Sequence, residues 1–341
     1  MIGSSVDARS HPAVAAILLL RIVKTQDVEP QESLGRTQLY IPRMLTSAVL
    51  CLNQNLGIID GSVTKACIIR RRCKVAMYPM KHLMKSALRK CVPEPVKRAF
   101  LDYALHELRE NITERYIMKY GNFVQSGPFS GMELPTQFCW GDGDRLPKLI
   151  GSYEAELHPS LLEAARRDYG IVVDIGCAEG YYAVGLARLI RSTAPVMAFD
   201  ISEVAQGICA KAGEMNHVSH RLKIAGLCSV EALDQMVPSG ERSLVVIDCE
   251  GAELDILRPD VIPGLRTSDL LIECHDWVSA DLTDMLHQRF SITHIVEQIT
   301  EGPRQICDFP FLKELNGFER ALAVCEFRPR LMHWLFCTAK G

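Results

Sequence analysis

Short apolar runs alternate with helical patterns over the second half of the chain. Seven runs predict strands at 171–176, 195–201, 221–227, 243–249, 269–274, 292–299 and 331–338. Apolar residues at helical spacing predict helices at 159–168, 180–191, 203–215, 229–236, 252–257 and 280–290, with a further helical region near 311–324. This alternation is typical of an α/β fold with a doubly wound, mostly parallel sheet and helices on both faces. Because the last two runs lack a crossover pattern, we expect an antiparallel seventh strand.

The first 150 residues have a different pattern. Residues 1–79 show no sustained periodicity, so we expect a poorly specified leader, either disordered or upstream of a true start at Met80. From Met80 the pattern is helical, and Pro95 is well placed to begin a second helix that continues to about Gly121. The sequence thus predicts a leader at 1–79, a helical extension at 80–150 and a main domain at 151–341.

Composition places the chain among globular proteins. Of its 341 residues, 48% are hydrophobic and 23% are charged, and the net charge of -3 predicts no general attraction to nucleic acid or anionic membranes. The apolar run at 13–20 is shorter than the roughly 20 residues that cross a bilayer. The 13 cysteines include no C-x-x-C pair, which fits a reducing compartment. We therefore expect a cytoplasmic protein that has no membrane association.

The strand at 171–176 ends in an acid and continues into a glycine turn. Asp174 ends the strand, and Gly176 and Gly180 precede the next helix. Glycines let a backbone turn approach a ligand at a helix N-terminus. The dinucleotide fingerprint G-x-G-x-x-G is absent, because Ala178 and Tyr181 occupy its later glycine positions. We interpret the turn as a site for a nucleoside with an amino-acid tail, whose ammonium Asp174 can face. A nicotinamide cofactor is the alternative.

A second acidic strand end lies one strand and one helix further on. Asp200 follows Val-Met-Ala-Phe, and a carboxylate at this point accepts hydrogen bonds from ribose hydroxyls in doubly wound nucleoside sites. An isolated aspartate here would more often cap the next helix. Because the glycine turn precedes it, we interpret Asp200 and Ile201 as cofactor-binding residues, together with Cys177 and Ala178 of the turn.

Two further strands end in acids and a histidine. Asp248 and Glu250 lie at the end of the fourth run, and Glu273 and His275 lie at the end of the fifth. The carboxyl ends of neighbouring parallel strands meet where ligands bind in open α/β sheets, so we expect an active-site rim here. His275 has an ordinary pKa near ~6.5 and is the first candidate for a general base, followed by Glu250 and Asp248.

The same four side chains are also suitable metal ligands. No sequence spacing fixes their geometry, and a general base needs fewer assumptions. We therefore predict no metal and keep a metal site as an alternative.

Three segments give the sequence a family resemblance. They are Val173 to Gly180, Ile247 to Leu254 and Ile272 to His275, of which the middle one, with its D-x-E-G-A-E motif, is the most specific. Here the sequence resembles the FkbM-type methyltransferases, a branch of the class I S-adenosylmethionine-dependent enzymes, from about 151 to 337.

This resemblance implies a Rossmann-like, seven-stranded sheet and methyl transfer, usually to oxygen. It also implies that Asp174, Gly176 and Gly180 bind S-adenosylmethionine, with Asp200 at the ribose.

The sequence is compatible with several functions. The main prediction is O-methylation of a hydroxyl on a small molecule or saccharide. An RNA-modifying methyltransferase is the alternative, because the basic stretch from Lys65 to Arg98 could bind the phosphate backbone of RNA. A nicotinamide-dependent oxidoreductase is the second alternative, and a non-catalytic cofactor-binding module is a further one.

Overall fold

The computed structural model describes residues 93–138, 144–191, 193–306 and 309–340. The leader at 1–79 and the helix predicted from Met80 lie outside these residues. The described strands are β1 (Val172–Ile175), β2 (Val196–Phe199), β3 (Leu222–Ala225), β4 (Leu244–Ile247), β5 (Asp269–Cys274), β6 (His294–Thr300) and β7 (His333–Ala339). All seven predicted strands are confirmed, and their ends differ from the prediction by two residues at most.

The described α-helices match the prediction less closely, and one of them, Arg145–Ile150, is not predicted by the sequence pattern. They are α1 (Glu94–Tyr120), α2 (Arg145–Ile150), α3 (His158–Ala164), α4 (Tyr181–Leu189), α5 (Glu203–Met215), α6 (Val230–Met236), α7 (Glu253–Ile256), α8 (Leu282–Ser291) and α9 (Gly317–Ala323). Short 3-10 helices lie at Ala155–Leu157, Pro263–Arg266 and Pro310–Glu314.

Several predicted helices are shorter than expected, and for two of them the local reason can be given. The helix expected at 159–168 ends at Ala164, because the N–H groups of Arg166 and Arg167 donate to carbonyls three residues earlier instead of four. The helical region near 311–324 is divided at Asn316. The Asn316 side chain caps α9 by accepting hydrogen bonds from the N–H groups of Phe318 and Glu319. In turn, the Glu319 carboxylate accepts a hydrogen bond from the Asn316 N–H.

The strands form one seven-stranded sheet in the order β3-β2-β1-β4-β5-β7-β6. Strands β1 to β5 pair in parallel, and β7 runs antiparallel between β5 and β6. The predicted doubly wound, mostly parallel sheet and its antiparallel final strand are therefore confirmed. The strand order reverses between β1 and β4, and ligands bind at such a reversal in open α/β sheets.

Alternate residues of the central strands pack into two hydrophobic cores, one on each face of the sheet. Val172 and Leu244 belong to the first core with residues of α1, α2, α4 and α5, while Val173 and Val245 belong to the second with residues of α6 and α8. Tyr116 of α1 is fully buried in the first core, and its hydroxyl donates to the carbonyls of Phe123 and Leu149. The boundary at 150/151 stays a prediction.

No helix among the described residues combines the length and apolar character needed to cross a membrane.

Candidate active site

A cavity of about 640 Å³ opens at the carboxyl ends of the parallel strands. Residues that follow β1, β2, β4 and β5 line it, among them Gly176, Asp200, Asp248 and His275. This volume is ordinary for a small-molecule site, and the position coincides with the reversal of the strand order. Here the structure brings together the two groups of residues that the sequence predicted separately.

The glycine turn after β1 adopts a left-handed backbone at three positions. Gly176 has φ +88°, Ala178 +46° and Gly180 +90°. A Cβ on Gly176 would lie 1.6 Å from the carbonyl oxygen of Asp248, so the close approach of the β4 end requires glycine. A Cβ on Gly180 would lie 2.8 Å from Cys209 Sγ on α5. Packing within the protein therefore accounts for both glycines.

Asp200 holds this turn from the end of β2. Its Oδ2 accepts the N–H of Ala178 at 2.9 Å, and its Oδ1 accepts the N–H of Ser202 at 2.8 Å. A left-handed conformation costs free energy at a residue other than glycine, and the bond to Asp200 offsets part of this cost at Ala178. Asp200 also lines the cavity beside the exposed side chain of Ile201.

Three of the predicted cofactor residues do not themselves line the cavity. Asp174 is buried, its neighbours Ile175 and Gly176 form the wall, and its Oδ2 accepts no hydrogen bond within the protein. Burial raises the pKa of Asp174 to about 7, against the lowering effect of the Ala183 N–H. Cys177 is buried as well, and a hydrogen bond with Cys209, followed by burial, raises its pKa. Gly180 is the third predicted cofactor residue that does not line the cavity.

The three predicted catalytic side chains meet at the other side of the cavity. His275 Nε2 lies 3.4 Å from Asp248 Oδ1 and 3.5 Å from Glu250 Oε2. His275 is 2% exposed, whereas the side chains of Asp248 and Glu250 are 42% and 70% exposed. On its other edge, His275 Nδ1 lies 2.8 Å from Oε1 of the fully buried Glu253. Glu253 belongs to the D-x-E-G-A-E motif, but no feature of the motif distinguishes it from the other acids.

The surrounding carboxylates control the protonation of this cluster. Burial alone would lower the pKa of His275, but the hydrogen bond and charge of Glu253, with the charges of Glu273 and Glu250, raise it above its ordinary value. Loss of bulk water, followed by the charges of Glu273, Glu154 and Glu250, raises the pKa of Asp248 well above its usual range. His275 therefore holds a proton more tightly than a free imidazole.

Two cations in the cavity wall are already engaged by carboxylates. Arg328 contacts Glu273 at 2.8 Å, Glu326 at 2.9 Å, and Glu154. Lys148 of α2 is buried and contacts Asp144 at 2.6 Å and also Glu179 of the glycine turn. Arg328 lies in an irregular connection before β7 and Lys148 precedes the predicted main domain, so no sequence pattern pointed to either residue.

A metal ion is the other group that this rim could hold. Asp248, Glu273 and His275 each place one ligand atom within 4.8 Å of the other two.

No family model and no curated protein matches the sequence. Among solved structures, a precorrin-6y C5,15-methyltransferase from Geobacter metallireducens GS-15 is similar at 14% identity, with 60% of this chain and 93% of that chain covered and a TM-score of 0.39.

An rRNA methylase from Streptococcus thermophilus is similar at 16% identity over 54% and 97% of the two chains, with a TM-score of 0.37. The O-methyltransferase TomG from Streptomyces achromogenes, in complex with SAM, is similar at 10% identity over 60% and 93%, with a TM-score of 0.36. Because all three TM-scores are below 0.5, the fold is defined by the sheet order and strand register alone.

Proposed function

We propose that the protein is an S-adenosylmethionine-dependent methyltransferase that methylates a hydroxyl group of a small molecule or saccharide. One observation carries the proposal. A single cavity at the strand-order reversal joins the glycine turn and Asp200 to an imidazole, His275, that faces Asp248 and Glu250. The first half suits a nucleoside cofactor, and the second half suits the removal of a proton from an acceptor.

The charges of the cavity fit this cofactor better than a dinucleotide. S-adenosylmethionine carries two cationic groups, the sulfonium and the ammonium. The cavity wall contains six carboxylates, from Asp144, Glu179, Asp200, Asp248, Glu250 and Glu273, against the two cations Lys148 and Arg328. A pyrophosphate would meet repulsion from such a wall, which disfavours the nicotinamide alternative. The unpartnered Asp174 Oδ2, next to the turn, suits the ammonium, directly or through water.

When bound, the cofactor supplies a methyl group on a sulfonium that is already a strong electrophile. The protein then has two tasks, which are to hold the acceptor oxygen in line and to take its proton. His275 Nε2 faces the cavity and is the proton acceptor in this proposal, with Asp248 and Glu250 beside it. The sulfonium needs no Lewis acid, so we propose that the reaction is metal-independent.

The same charges favour a neutral or cationic acceptor. Lys148 is shared between two carboxylates and Arg328 among three, which leaves neither as a dedicated phosphate partner. The RNA alternative therefore depends on the basic stretch from Lys65 to Arg98. Most of this stretch lies outside the described residues, and Lys97 within it pairs with Glu94 at 2.9 Å.

The narrower assignments are part of the same proposal. Membership of the FkbM-type family is supported by the D-x-E-G-A-E motif from Asp248 to Glu253. A cytoplasmic location is supported by the cysteines of the described residues, which are all free thiols.

Ligand binding followed by product analysis tests the function. S-adenosylhomocysteine is expected to raise the melting temperature, NAD to leave it unchanged, and incubation with labelled S-adenosylmethionine and fractionated lysate to give a small labelled product. Label in RNA would favour the first alternative, and stabilisation by NAD alone would favour the oxidoreductase. Binding of S-adenosylhomocysteine without any labelled product would indicate a non-catalytic module.

A further inference from the structure

The buried carboxylate of Glu253 lies against the outer edge of the His275 ring. Glu253 is 0% exposed and His275 2%, and the Oε1–Nδ1 distance is 2.8 Å. The opposite ring nitrogen, Nε2, faces the cavity. We propose that Glu253 is a positioning residue that keeps the proton of the neutral His275 ring on Nδ1 and so leaves Nε2 as the proton acceptor. The catalytic meaning of this inference rests on the proposed function, whereas the contact itself does not.

The loop after β4 is folded so that Glu253 stays in place. Glu253 Oε1 also lies within reach of the backbone N–H groups of Gly251, at 3.2 Å, and Cys249, at 3.4 Å. The backbone reverses at Glu250, with φ +55°, and at Gly251, with φ +106°. A Cβ on Gly251 would lie 2.6 Å from Val278 Cγ1, so this reversal is packed tightly. The D-x-E-G-A-E motif thus forms a loop whose own backbone donors converge on the acid that contacts His275.

The charge of Glu253 determines which ring nitrogen carries the proton. Burial raises the pKa of a carboxyl, but hydrogen bonds from His275 and from the loop backbone outweigh it here and lower the pKa of Glu253. An ionised carboxylate only accepts hydrogen bonds, so Nδ1 must be the donor. Trp277 meets the imidazole edge-to-face, with ring centroids 4.9 Å apart, and limits its rotation.

The inner nitrogen is left open for a substrate. The distances of 3.4 and 3.5 Å from Nε2 to Asp248 and Glu250 exceed those of a good N–H···O bond. A neutral ring with Nδ1 protonated has its lone pair at Nε2, directed into the cavity. If the proton were on Nε2, the ring could not accept a proton from an acceptor hydroxyl.

Nitrogen-15 NMR of the His275 imidazole tests the inference without knowledge of the acceptor. In the full chain, above the pH at which the ring loses its second proton, the shifts should identify a neutral ring protonated on Nδ1. Glu253→Gln keeps the shape and an acceptor oxygen but removes the charge, and should change the tautomer ratio about tenfold toward Nε2–H. Asp255→Asn removes an exposed carboxylate of the same short helix and should leave the ratio unchanged.

Glu253→Ala removes the carboxylate altogether and should change the tautomer ratio of His275 more than Glu253→Gln does. Glu253→Asp keeps a carboxylate and should restore the ratio in part. Each variant is first checked for a cooperative melting transition like that of the natural protein, which reports folding whether or not S-adenosylhomocysteine binds. A tautomer ratio that is unchanged in folded Glu253→Gln and Glu253→Ala would overturn the inference. If S-adenosylhomocysteine fails to bind the natural protein while the tautomer responds as expected, the proposed function fails and the positioning contact stands.

Discussion

Asp200 Oδ2 accepts the backbone N–H of Ala178 at 2.9 Å and thereby joins the end of β2 to the turn after β1. The two strands are neighbours in the sheet, with Ile175 paired to Phe199, so the bond continues their ladder through a side chain. Asp200 therefore stabilises the conformation of the glycine turn, in addition to its proposed contact with the ribose. This double contribution distinguishes it from an acid that contacts a ligand alone.

Substitution of Asp200 should affect both stability and cofactor binding. Asp200→Ala removes the acceptors of the Ala178 and Ser202 N–H groups and should lower the free energy of unfolding by about 1–3 kcal/mol. The melting-temperature response to S-adenosylhomocysteine should fall in the same variant. Glu203→Gln, two residues after Ile201 at the start of α5, is the matched control and should retain the response. A full response in Asp200→Ala would remove Asp200 from the proposed cofactor site.

Gly176 tests the backbone geometry of the turn. Gly176→Ala combines a positive φ with a Cβ placed 1.6 Å from the Asp248 carbonyl, so it should lower the free energy of unfolding by more than about 3 kcal/mol. Gly207→Ala on α5 is the control, because its Cβ would meet no atom within 4 Å. There the greater helix propensity of alanine should stabilise by about 0.5–1 kcal/mol. Equal effects of the two substitutions in chemical denaturation would contradict the described turn.

Asp174 makes stability depend on pH in a defined direction. Its pKa is about 7 in the folded protein, above the ordinary value of an aspartate, so the folded state binds the proton more tightly than the unfolded state. Stability is therefore greatest at low pH with respect to this group, falls as the pH rises toward 7, and stays lower above it. Asp174→Asn should remove this loss and be more stable than the natural protein at pH 8, by an amount of order 1–4 kcal/mol.

The same group should couple cofactor binding to pH. An ammonium near Asp174 favours the ionised carboxylate, so affinity for S-adenosylhomocysteine should increase as the pH rises through about 7. In Asp174→Asn this dependence should disappear and the affinity should be lower. Calorimetric titration at pH 6 and pH 8 measures both effects. An affinity that is independent of pH in the natural protein would argue against the contact with the ammonium.

Much of this site could be predicted from the sequence because its residues follow short apolar strands. Each strand of a parallel sheet ends at the same edge, so Asp200, Asp248 and His275 could be assigned to one rim from chain position alone. The antiparallel seventh strand was predictable as well, because no crossover pattern separates the last two apolar runs. The residues that were missed act through contacts that chain position does not encode. Arg328 follows an irregular segment, and two of its three carboxylate partners, Glu154 and Glu273, come from other parts of the chain.

The reasons for the glycines were also not accessible from sequence. Gly176 and Gly180 were interpreted as room for a ligand, whereas in the structure the Asp248 carbonyl and Cys209 occupy the space next to them. The sequence pattern identified the turn correctly, but the packing partners come from β4 and α5. Partners that distant along the chain are specified only by the assembled sheet.

Metal independence gives a simple test of the rim. Since the proposed chemistry needs no Lewis acid, EDTA should leave both the binding of S-adenosylhomocysteine and the rate of methyl transfer unchanged. Electron paramagnetic resonance of added Mn²⁺ tests directly whether the rim binds a metal ion. Tight Mn²⁺ binding that is lost in Glu273→Gln, with turnover abolished by EDTA, would assign Asp248, Glu273 and His275 to a metal instead.

Substitution of His275 tests its role as the general base. His275→Ala should slow methyl transfer by roughly 10²–10⁴-fold, the range typical for loss of a general base, while affinity for S-adenosylhomocysteine changes little. Unchanged turnover would move the proton-acceptor assignment to Glu250 or Asp248.

The pH profile separates a base from a merely structural histidine. Burial lowers the pKa of His275, but Glu253, Glu273 and Glu250 together raise it, and Asp248 also faces Nε2. In the free enzyme the neutral ring is therefore reached only above the ordinary histidine range, and kcat/KM should rise with pH through a pKa higher than about 6.5. A bound sulfonium repels the imidazolium proton, so the corresponding pKa in kcat should be lower. A structural histidine would give no such difference, and His275→Ala would then release as many protons on cofactor binding as the natural protein in calorimetry with buffers of different ionisation enthalpy.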